Sequence, residues 1–277
     1  MSRLRAKCPD CRTLTAVAMG PEYQCHSCGR EFAAGLVRVP RAWGKGGEAM
    51  AEAAATELPY PETAVVAEDS LADQLLVLAS ELPERPLVLG GCCCSHVGAV
   101  EGLAARHDRL ALVWVDAHGD LNTPETSPSG FLGGMPFAVL LGWCHDRLRR
   151  AAGLDPALPE ARAALVGARD LDPGERAAID RSQLVVAGDI EAALAGLPAD
   201  APIHLHLDGD VLDPADAPGV DFPAPGGWSA ARLVDECAAL AETGRVVGIS
   251  VCCGNPRRDP DGRGARAYAR ALQPFRP

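Results

Sequence analysis

Two short segments place acidic residues and histidine at alternate positions, a spacing that suits metal binding. Residues 113–120 read VWVDAHGD, and residues 204–210 read HLHLDGD. Side chains of a strand alternate between its faces, so residues spaced by two project to the same side. Carboxylates gathered around an imidazole repel one another unless a cation is present, and this donor set suits Mn²⁺ or another divalent first-row metal. The predicted ligands are Asp116, His118, Asp120, Asp208 and Asp210.

The N-terminal cysteines form a second group with metal-ligand spacing. Two Cys-x-x-Cys pairs are separated by thirteen residues, and they consist of Cys8, Cys11, Cys25 and Cys28. Two such pairs complete a tetrahedral site of four thiolates. The spacing therefore predicts structural Zn²⁺ in a zinc ribbon over residues 1–35, with Tyr23 and Phe32 covering the metal. A redox role for one Cys-x-x-Cys pair is the alternative.

Beyond residue 35, short β-rich runs alternate with Ala- and Leu-rich helical stretches. The predicted strands are 36–39, 63–67, 86–89, 110–115, 164–166, 184–186, 203–207 and 246–251. The predicted helices are 48–57, 70–82, 97–106, 174–181 and 229–243. This alternation predicts a three-layer α/β/α domain over residues 36–277, with a mostly parallel sheet of about eight strands. Loops at the carboxyl ends of such strands form the active site.

Composition narrows the class of protein. The chain has 277 residues, of which 48% are hydrophobic and 23% charged, so it is expected to be globular rather than disordered. It has no apolar stretch near the roughly 20 residues that a membrane helix needs. The opening residues MSRLRAKCPDC lack the apolar segment of a secretory signal, so we expect a cytoplasmic protein. A net charge of −11 disfavours nucleic acid as a partner.

Several segments resemble the ureohydrolase family of arginases and agmatinases. They are LVLGG at 87–91, VDAHGDLNTPETSPSG at 115–130, ARDLDPGE at 168–175, HLHLDGDVLDP at 204–214 and GNP at 254–256. The resemblance covers roughly residues 36–256. It implies an arginase-like fold, one or two Mn²⁺ ions, and a hydroxide held by the metal that attacks a guanidinium carbon. It also implies a homo-oligomer, either a trimer or a hexamer.

The resemblance assigns roles to the metal ligands by matching positions. Asp116 and Asp208 would bridge two metals. His118 and Asp210 would complete one metal site, and Asp120 would serve the other. His118 and Asp120 are accordingly predicted to be catalytic as well as ligating.

The resemblance also implies where an amino acid substrate binds. Asn122 and Ser129 would contact its α-carboxylate, and Asp172 its α-ammonium group. Their chemistry suits these roles, because they offer hydrogen-bond donors to an anion and a carboxylate to a cation. The alternative is that these residues only cap turns, with Asp172 starting an Asp-Pro-Gly turn.

Three positions depart from the family pattern. Cys93 stands where the family has its first ligand histidine, as in some members that act on hydroxylated arginine, and a thiolate favours Zn²⁺ over Mn²⁺. Cys93 is predicted to be a ligand; a reactive thiol and a small packed residue are the alternatives, with His96 as a weaker substitute ligand. Gly133 replaces a histidine that shuttles protons in the family. Cys253, assigned to substrate binding, replaces a glutamate that pairs with the guanidinium.

These features favour a metal-dependent hydrolase. The predicted reaction is hydrolysis of a C–N bond in a linear amidine or a modified guanidino amino acid, with an N-hydroxylated group as one candidate. The alternative is a non-catalytic binding or regulatory protein that reuses the fold, because the proton shuttle and the guanidinium carboxylate are both lost. A third hypothesis is thiol chemistry, in which Cys93, Cys94 and Cys253 converge across the crevice.

Overall fold

The structure, a computed structural model, contains two separate β-sheets. The smaller sheet is antiparallel, and consists of β1 (Ala16–Met19), β2 (Glu22–Cys25) and β3 (Glu31–Ala33). Tyr23 and Phe32 are paired across β2 and β3 and stack with ring centroids 6.0 Å apart. Both are buried, as predicted for the cover of the cysteine cluster. The structure describes residues 5–8, 10–19, 22–33, 35–44, 47–58, 60, 62–252 and 254–275.

The larger sheet has eight strands, and every neighbouring pair is parallel. Its strands are β4 (Leu36–Val39), β5 (Glu62–Val65), β6 (Leu87–Gly90), β7 (Ala111–Val115), β8 (Ala163–Val166), β9 (Val185–Ala187), β10 (Ile203–Asp208) and β11 (Val246–Cys252). Their order is β5-β4-β6-β11-β10-β7-β8-β9. The central strands β7 and β10 are buried along their whole length, because both faces of a parallel sheet are covered. The predicted three-layer fold is confirmed.

Eight α-helices accompany the sheet in the part of the chain that is described. They are α1 (Leu71–Glu81), α2 (His96–Ala104), α3 (Pro136–Leu140), α4 (Asp146–Ala152), α5 (Pro173–Ile179), α6 (Ile190–Gly196), α7 (Ala230–Glu242) and α8 (Arg263–Ala271). The α-helix predicted at 48–57 is wrong, because Gly47–Ala55 is a 3-10 helix. This Ala-rich segment offers mainly Met50 as a large apolar anchor, so tertiary contacts outweigh its helix propensity. None of the described helices has the length and apolar character that a membrane crossing requires.

Alternate residues of the strands face two separate cores. On β7, Leu112 and Trp114 pack in one core with residues of α1, α2 and α3. Val113 and Val115 point the other way and pack with residues of α6, α7 and α8. The period-two alternation of the strands thus sorts the helices into two layers.

The strand order brings four carboxyl ends together at the middle of the sheet. The chain passes directly from β6 to β7 through α2, but β11 and β10 lie between these two strands in space. The loops after β6 and β7 therefore diverge, and they leave a crevice above β11 and β10. Ligands of open parallel sheets bind at such a switch in strand order.

Candidate metal centre

A cavity of about 260 Å³ opens at the carboxyl ends of β6, β7 and β10. Nine of the ten side chains predicted for this site line it: Cys93, Asp116, His118, Asp120, Asn122, Ser129, Asp172, Asp208 and Asp210. The tenth, Cys253, lies outside the described residues. Residues more than a hundred positions apart thus meet at one point, because each follows the end of a parallel strand.

One side of the cavity is formed by Asp116, His118 and Asp210, and is called here the carboxylate half. The His118 Nδ1 atom lies 3.0 Å from Asp210 Oδ2 and 3.5 Å from Asp116 Oδ1. The backbone N–H groups of His118 and Ala117 donate to Asp116 and Asp210 at 2.6 and 3.1 Å. Burial alone would lower the pKa of His118, but its hydrogen bonds to both carboxylates and their charges outweigh it and raise that pKa to about 12.

The acidic residues here are crowded in the way that a bound cation would relieve. Burial, followed by the charge of Asp210, raises the pKa of Asp116 to about 7. Burial and the charges of Asp116 and Asp208 hold the pKa of Asp120 well above its ordinary value. Asp120 has a left-handed backbone φ of 52°, which is strained for a residue other than glycine. Its Oδ2 atom is buried without a hydrogen-bond partner among the described residues.

The other side of the cavity is formed by Cys93, Cys252 and Asp208, and is called here the thiol half. The two Sγ atoms lie 3.3 Å apart. Cys93 and Cys252 lie 3.2 and 3.1 Å from the same Oδ2 atom of Asp208. Cys94 forms a hydrogen bond with Cys92, and Cys253 lies outside the described residues, so the convergence of Cys93, Cys94 and Cys253 stays a prediction. Cys252, at the end of β11, is the partner that sequence reasoning missed.

Three buried histidines lie beneath the two halves. His96 Nδ1 lies 2.8 Å from His206 Nδ1, and Ser250 Oγ lies 3.4 Å from the same His206 atom and 2.8 Å from His204 Nε2. Burial lowers the pKa of His96 and His204 to about 3, and it holds the pKa of His206 well below its ordinary value, so these rings are neutral. His96 therefore pairs within this group instead of replacing the missing ligand histidine.

Trp114 connects this layer to the metal ligands. Its ring stacks on His206 at 3.4 Å between centroids, and its Nε1 donates to Asp116 Oδ2 at 3.2 Å. His206 Nε2 lies 4.0 Å from the same carboxylate oxygen and has no hydrogen-bond partner among the described residues.

The donors of both halves fit divalent metal ions. Three overlapping sets have ligand atoms within 4.8 Å of one another: Asp116 with His118 and Asp210; Cys93 with Asp116, Asp120 and His206; and Cys93 with His206, Asp208 and Cys252. Asp120, with its unpartnered Oδ2, and His206, with its unpartnered Nε2, both belong to these sets. Buried polar atoms of this kind are rare unless a ligand satisfies them.

The residues expected to hold the amino acid end of a substrate lie together at the mouth of the cavity. Asn122 Nδ2 donates to Asp172 Oδ2 at 2.8 Å. Asp172 also begins α5, and Glu175 accepts from the N–H groups of Asp172 and Leu121 at 2.8 and 3.0 Å. Glu175 thereby ties the loops after β7 and β8 together. It was missed from the sequence, although Asp172-x-x-Glu175 has capping-box spacing.

Ser129 and its loop also show turn contacts of the kind weighed as the alternative. Ser129 Oγ accepts from Phe131 N at 3.2 Å, while Ser129 lines the cavity. A Cβ atom at Gly133 would lie 2.2 Å from the Phe131 ring. The ring therefore fills the space into which a histidine at position 133 would project.

The N-terminal cysteines converge as their spacing predicts. Cys8 and Cys28 have Sγ atoms 3.5 Å apart, and those of Cys11 and Cys25 are 3.6 Å apart. All four thiols lie within 4.8 Å of one another, which is compatible with a small zinc-binding element.

Comparison with known proteins agrees with this fold. A sequence model of the Arginase family matches residues 51–275. The arginase of Bacillus subtilis (strain 168) is 45% identical over 155 residues, which are 52% of each chain. The arginase of Bacillus caldovelox is 41% identical over 171 residues, or 57% of each. The crystal structure of the Bacillus subtilis arginase superposes with a TM-score of 0.78 and 30% identity, covering 87% of this chain and 96% of the other.

The fold and the donor set define an α/β protein with a candidate metal centre at the carboxyl ends of neighbouring parallel strands. The chain belongs to the arginase family. Its sequence alignments span only about half the length of the first two relatives, whereas the structural match spans nearly all of the compared chain.

Proposed function

We propose that the protein is a metal-dependent hydrolase that cleaves a C–N bond in a linear amidine or a modified guanidino amino acid. The observation that carries the proposal is the cavity where Asp116, His118, Asp120, Asp208 and Asp210 meet. A bound divalent ion would lower the pKa of water and polarise the substrate carbon. Mn²⁺ suits the oxygen and imidazole donors of the carboxylate half.

We assign the amino acid end of the substrate to the mouth of the cavity. Asn122 and Ser129 offer hydrogen bonds to a carboxylate, and Asp172 offers a carboxylate to an ammonium group. The contact between Asn122 and Asp172 orients both side chains before substrate arrives. Binding there would point the reacting group towards the two halves.

The reacting group that we favour is N-hydroxylated. The sequence has a thiol at Cys253 where a carboxylate would pair with a charged guanidinium. An N-hydroxyguanidine is a weaker base than a guanidine, so it carries its positive charge less readily and depends less on a carboxylate partner. Water supplies the oxygen that joins the central carbon, the C–N bond to the side chain breaks, and the amine leaves with a proton. His118 would hold the ion together with the two carboxylates that its Nδ1 atom faces.

The test is a product assay on the full chain with Mn²⁺ and Zn²⁺ supplied. Arginine, agmatine and N-hydroxyarginine are offered, and the freed amine and the urea or hydroxyurea are quantified together. Equimolar release that a chelator abolishes would support the hydrolase. Tight binding of these compounds with no product from any of them would overturn it, in favour of the non-catalytic binding protein.

The remaining expectations are part of the same proposal. We propose a zinc ribbon over residues 1–35 joined to a hydrolase domain over residues 36–277, in a cytoplasmic homo-oligomer of three or six chains. Small-angle scattering of the purified protein measures the number of chains. A monomer would refute the oligomer without affecting the hydrolase.

A further inference from the structure

We propose that the thiol half, together with the ring of His206, is a thiolate-rich metal position that binds Zn²⁺ in preference to Mn²⁺. The carboxylate half beside it would take the harder ion, so the cavity would hold two different metals. This inference deepens the proposed function and rests on its metal centre, but it is independent of the substrate.

The geometry of the four donors carries the inference. Cys93, Cys252 and Asp208 have mutual contacts of 3.1 to 3.3 Å. A ring nitrogen of His206 completes the set within 4.8 Å. Tetrahedral zinc with ordinary Zn–S and Zn–N bonds separates its ligand atoms by roughly 3.3 to 3.8 Å. The four donors therefore need only small shifts to surround one ion.

The two sulfurs decide which metal is favoured. Thiolates select Zn²⁺ over Mn²⁺, whereas carboxylates and water suit Mn²⁺. The carboxylate half has no sulfur donor in its set, since it consists of Asp116, His118 and Asp210. Metal binding would release the two thiol protons to solvent, because the thiolate is the ligand form.

His206 is held in the orientation that a ligand needs. Its Nδ1 atom faces His96 and Ser250, which leaves Nε2 as the ring nitrogen without a hydrogen-bond partner. The ring is clamped by stacking on Trp114 at 3.4 Å. Ligating histidines characteristically have their second nitrogen fixed by a neighbour in this way.

The experiment is an element count on the full reduced chain, dialysed against a buffered trace concentration of Zn²⁺ and a large excess of Mn²⁺, because oxygen and imidazole sites also bind Zn²⁺ more tightly than Mn²⁺. We expect about two zinc ions per chain, one for the ribbon and one for the thiol half, and about one manganese ion. Cys93→Ser and Cys252→Ser should each lower the zinc count to about one. Cys94→Ser, a buried thiol of the same segment that is outside the donor set, should leave both zinc ions in place.

Cobalt provides a second readout that does not depend on activity. A Co²⁺ difference spectrum, wild type minus Cys93→Ser, should contain a sulfur-to-cobalt charge-transfer band beyond that of the ribbon. His206→Gln should weaken retention of the second zinc ion against a chelator by about tenfold or more. Thermal melting of each variant identifies any that does not fold, and Cys252→Ser then provides the comparison in place of Cys93→Ser.

A wild-type chain holding only the zinc ion of the ribbon would overturn the inference, as would retention of both zinc ions in the two cysteine variants. Failure of the proposed function looks different. A second bound zinc ion in a protein that shows no hydrolysis would contradict the proposed function and support this metal position. Hydrolysis by a protein with manganese alone in the cavity would support the proposed function and contradict the zinc position.

Discussion

The two halves of the central cavity are built differently, although they share one floor of parallel strands. In the carboxylate half, backbone N–H groups donate to Asp116 and Asp210, and His118 bridges the two. In the thiol half, the contacts run through the sulfurs of Cys93 and Cys252 to one carboxylate oxygen. One fold can thus keep a rigid oxygen and imidazole site while changing the softness of its neighbour, and with it the preferred metal.

The largest effect is expected from the carboxylate half. His118→Ala should lower kcat/KM for the best substrate by at least about 100-fold, because it removes a proposed metal ligand. The matched control is Asp170→Asn, whose carboxylate lies 3.8 Å from His118 Nε2 on an exposed side chain. Steady-state kinetics should show little change in the control. Full activity in His118→Ala would place the chemistry elsewhere.

The melting temperature should depend on pH differently in the metal-free protein and in the metal-bound protein. The folded-state pKa of Asp116 is raised from 3.8 to about 7, so the folded protein holds a proton that the unfolded chain has lost. The resulting stabilisation is complete below pH 3.8 and is lost as the pH rises through about 7. The melting temperature of metal-free protein should therefore fall over this range.

Bound metal favours the ionised carboxylate of Asp116, so the melting temperature of the metal-bound protein should decrease less as the pH rises. Asp116→Asn in the metal-free state should also reduce this decrease, because the titrating group is gone. Melting curves of both proteins in the same chelating buffers provide the measurement. An unchanged pH slope in Asp116→Asn would show that another group is responsible.

A moderate effect is expected where the family's proton shuttle is missing. Gly133→His should cost about 1 to 3 kcal/mol of unfolding free energy, because its Cβ would meet the Phe131 ring. Adding Phe131→Ala to Gly133→His should recover part of the loss. Gly134→Ala is the control, since nothing lies within 4 Å of its Cβ position. Urea unfolding measures all three. Equal costs for Gly133→His with and without Phe131→Ala would exclude the ring as the cause.

The smallest effect on hydrolysis is expected from the proposed ribbon, none of whose described residues lines the cavity. Cys25→Ser should remove about one zinc ion per chain and leave kcat/KM nearly unchanged. Ser27 lies within the same Cys-x-x-Cys pair but is not one of the four thiols, so Ser27→Ala should keep the zinc ion. Element analysis and kinetics on the same preparations check both statements. A large loss of turnover in Cys25→Ser would couple the ribbon to the cavity.

The contrast between the halves also explains what the sequence could predict. Asp116 and His118, like Asp208 and Asp210, are spaced by two on one segment, so their convergence follows from strand geometry. All eight strands of the large sheet overlap their predicted positions for the same reason: apolar runs between turn residues are local signals. The convergence of the four N-terminal thiols is predictable because each Cys-x-x-Cys pair is local.

The thiol half could not be predicted, because it depends on the order of the strands. Cys93 follows β6, and Cys252 is the last residue of β11. These two strands pair only in the folded sheet. Nothing within either segment tells which of several adjacent cysteines faces the other. The short helices α3, α4 and α6 were missed because five to seven residues give little periodicity. Helix α8 was also missed, because its frequent Arg and Ala residues make its apolar face difficult to recognise from the sequence.

The central claim is that this cavity hydrolyses a guanidino-type group altered from that of arginine. It is tested most directly by kcat/KM for N-hydroxyarginine and for arginine, measured on one preparation of the full chain with both metals supplied. The account predicts that N-hydroxyarginine is preferred and that a chelator abolishes both reactions. Arginine as the better substrate would contradict it, because Cys253 and the thiol half would then have no consequence for specificity.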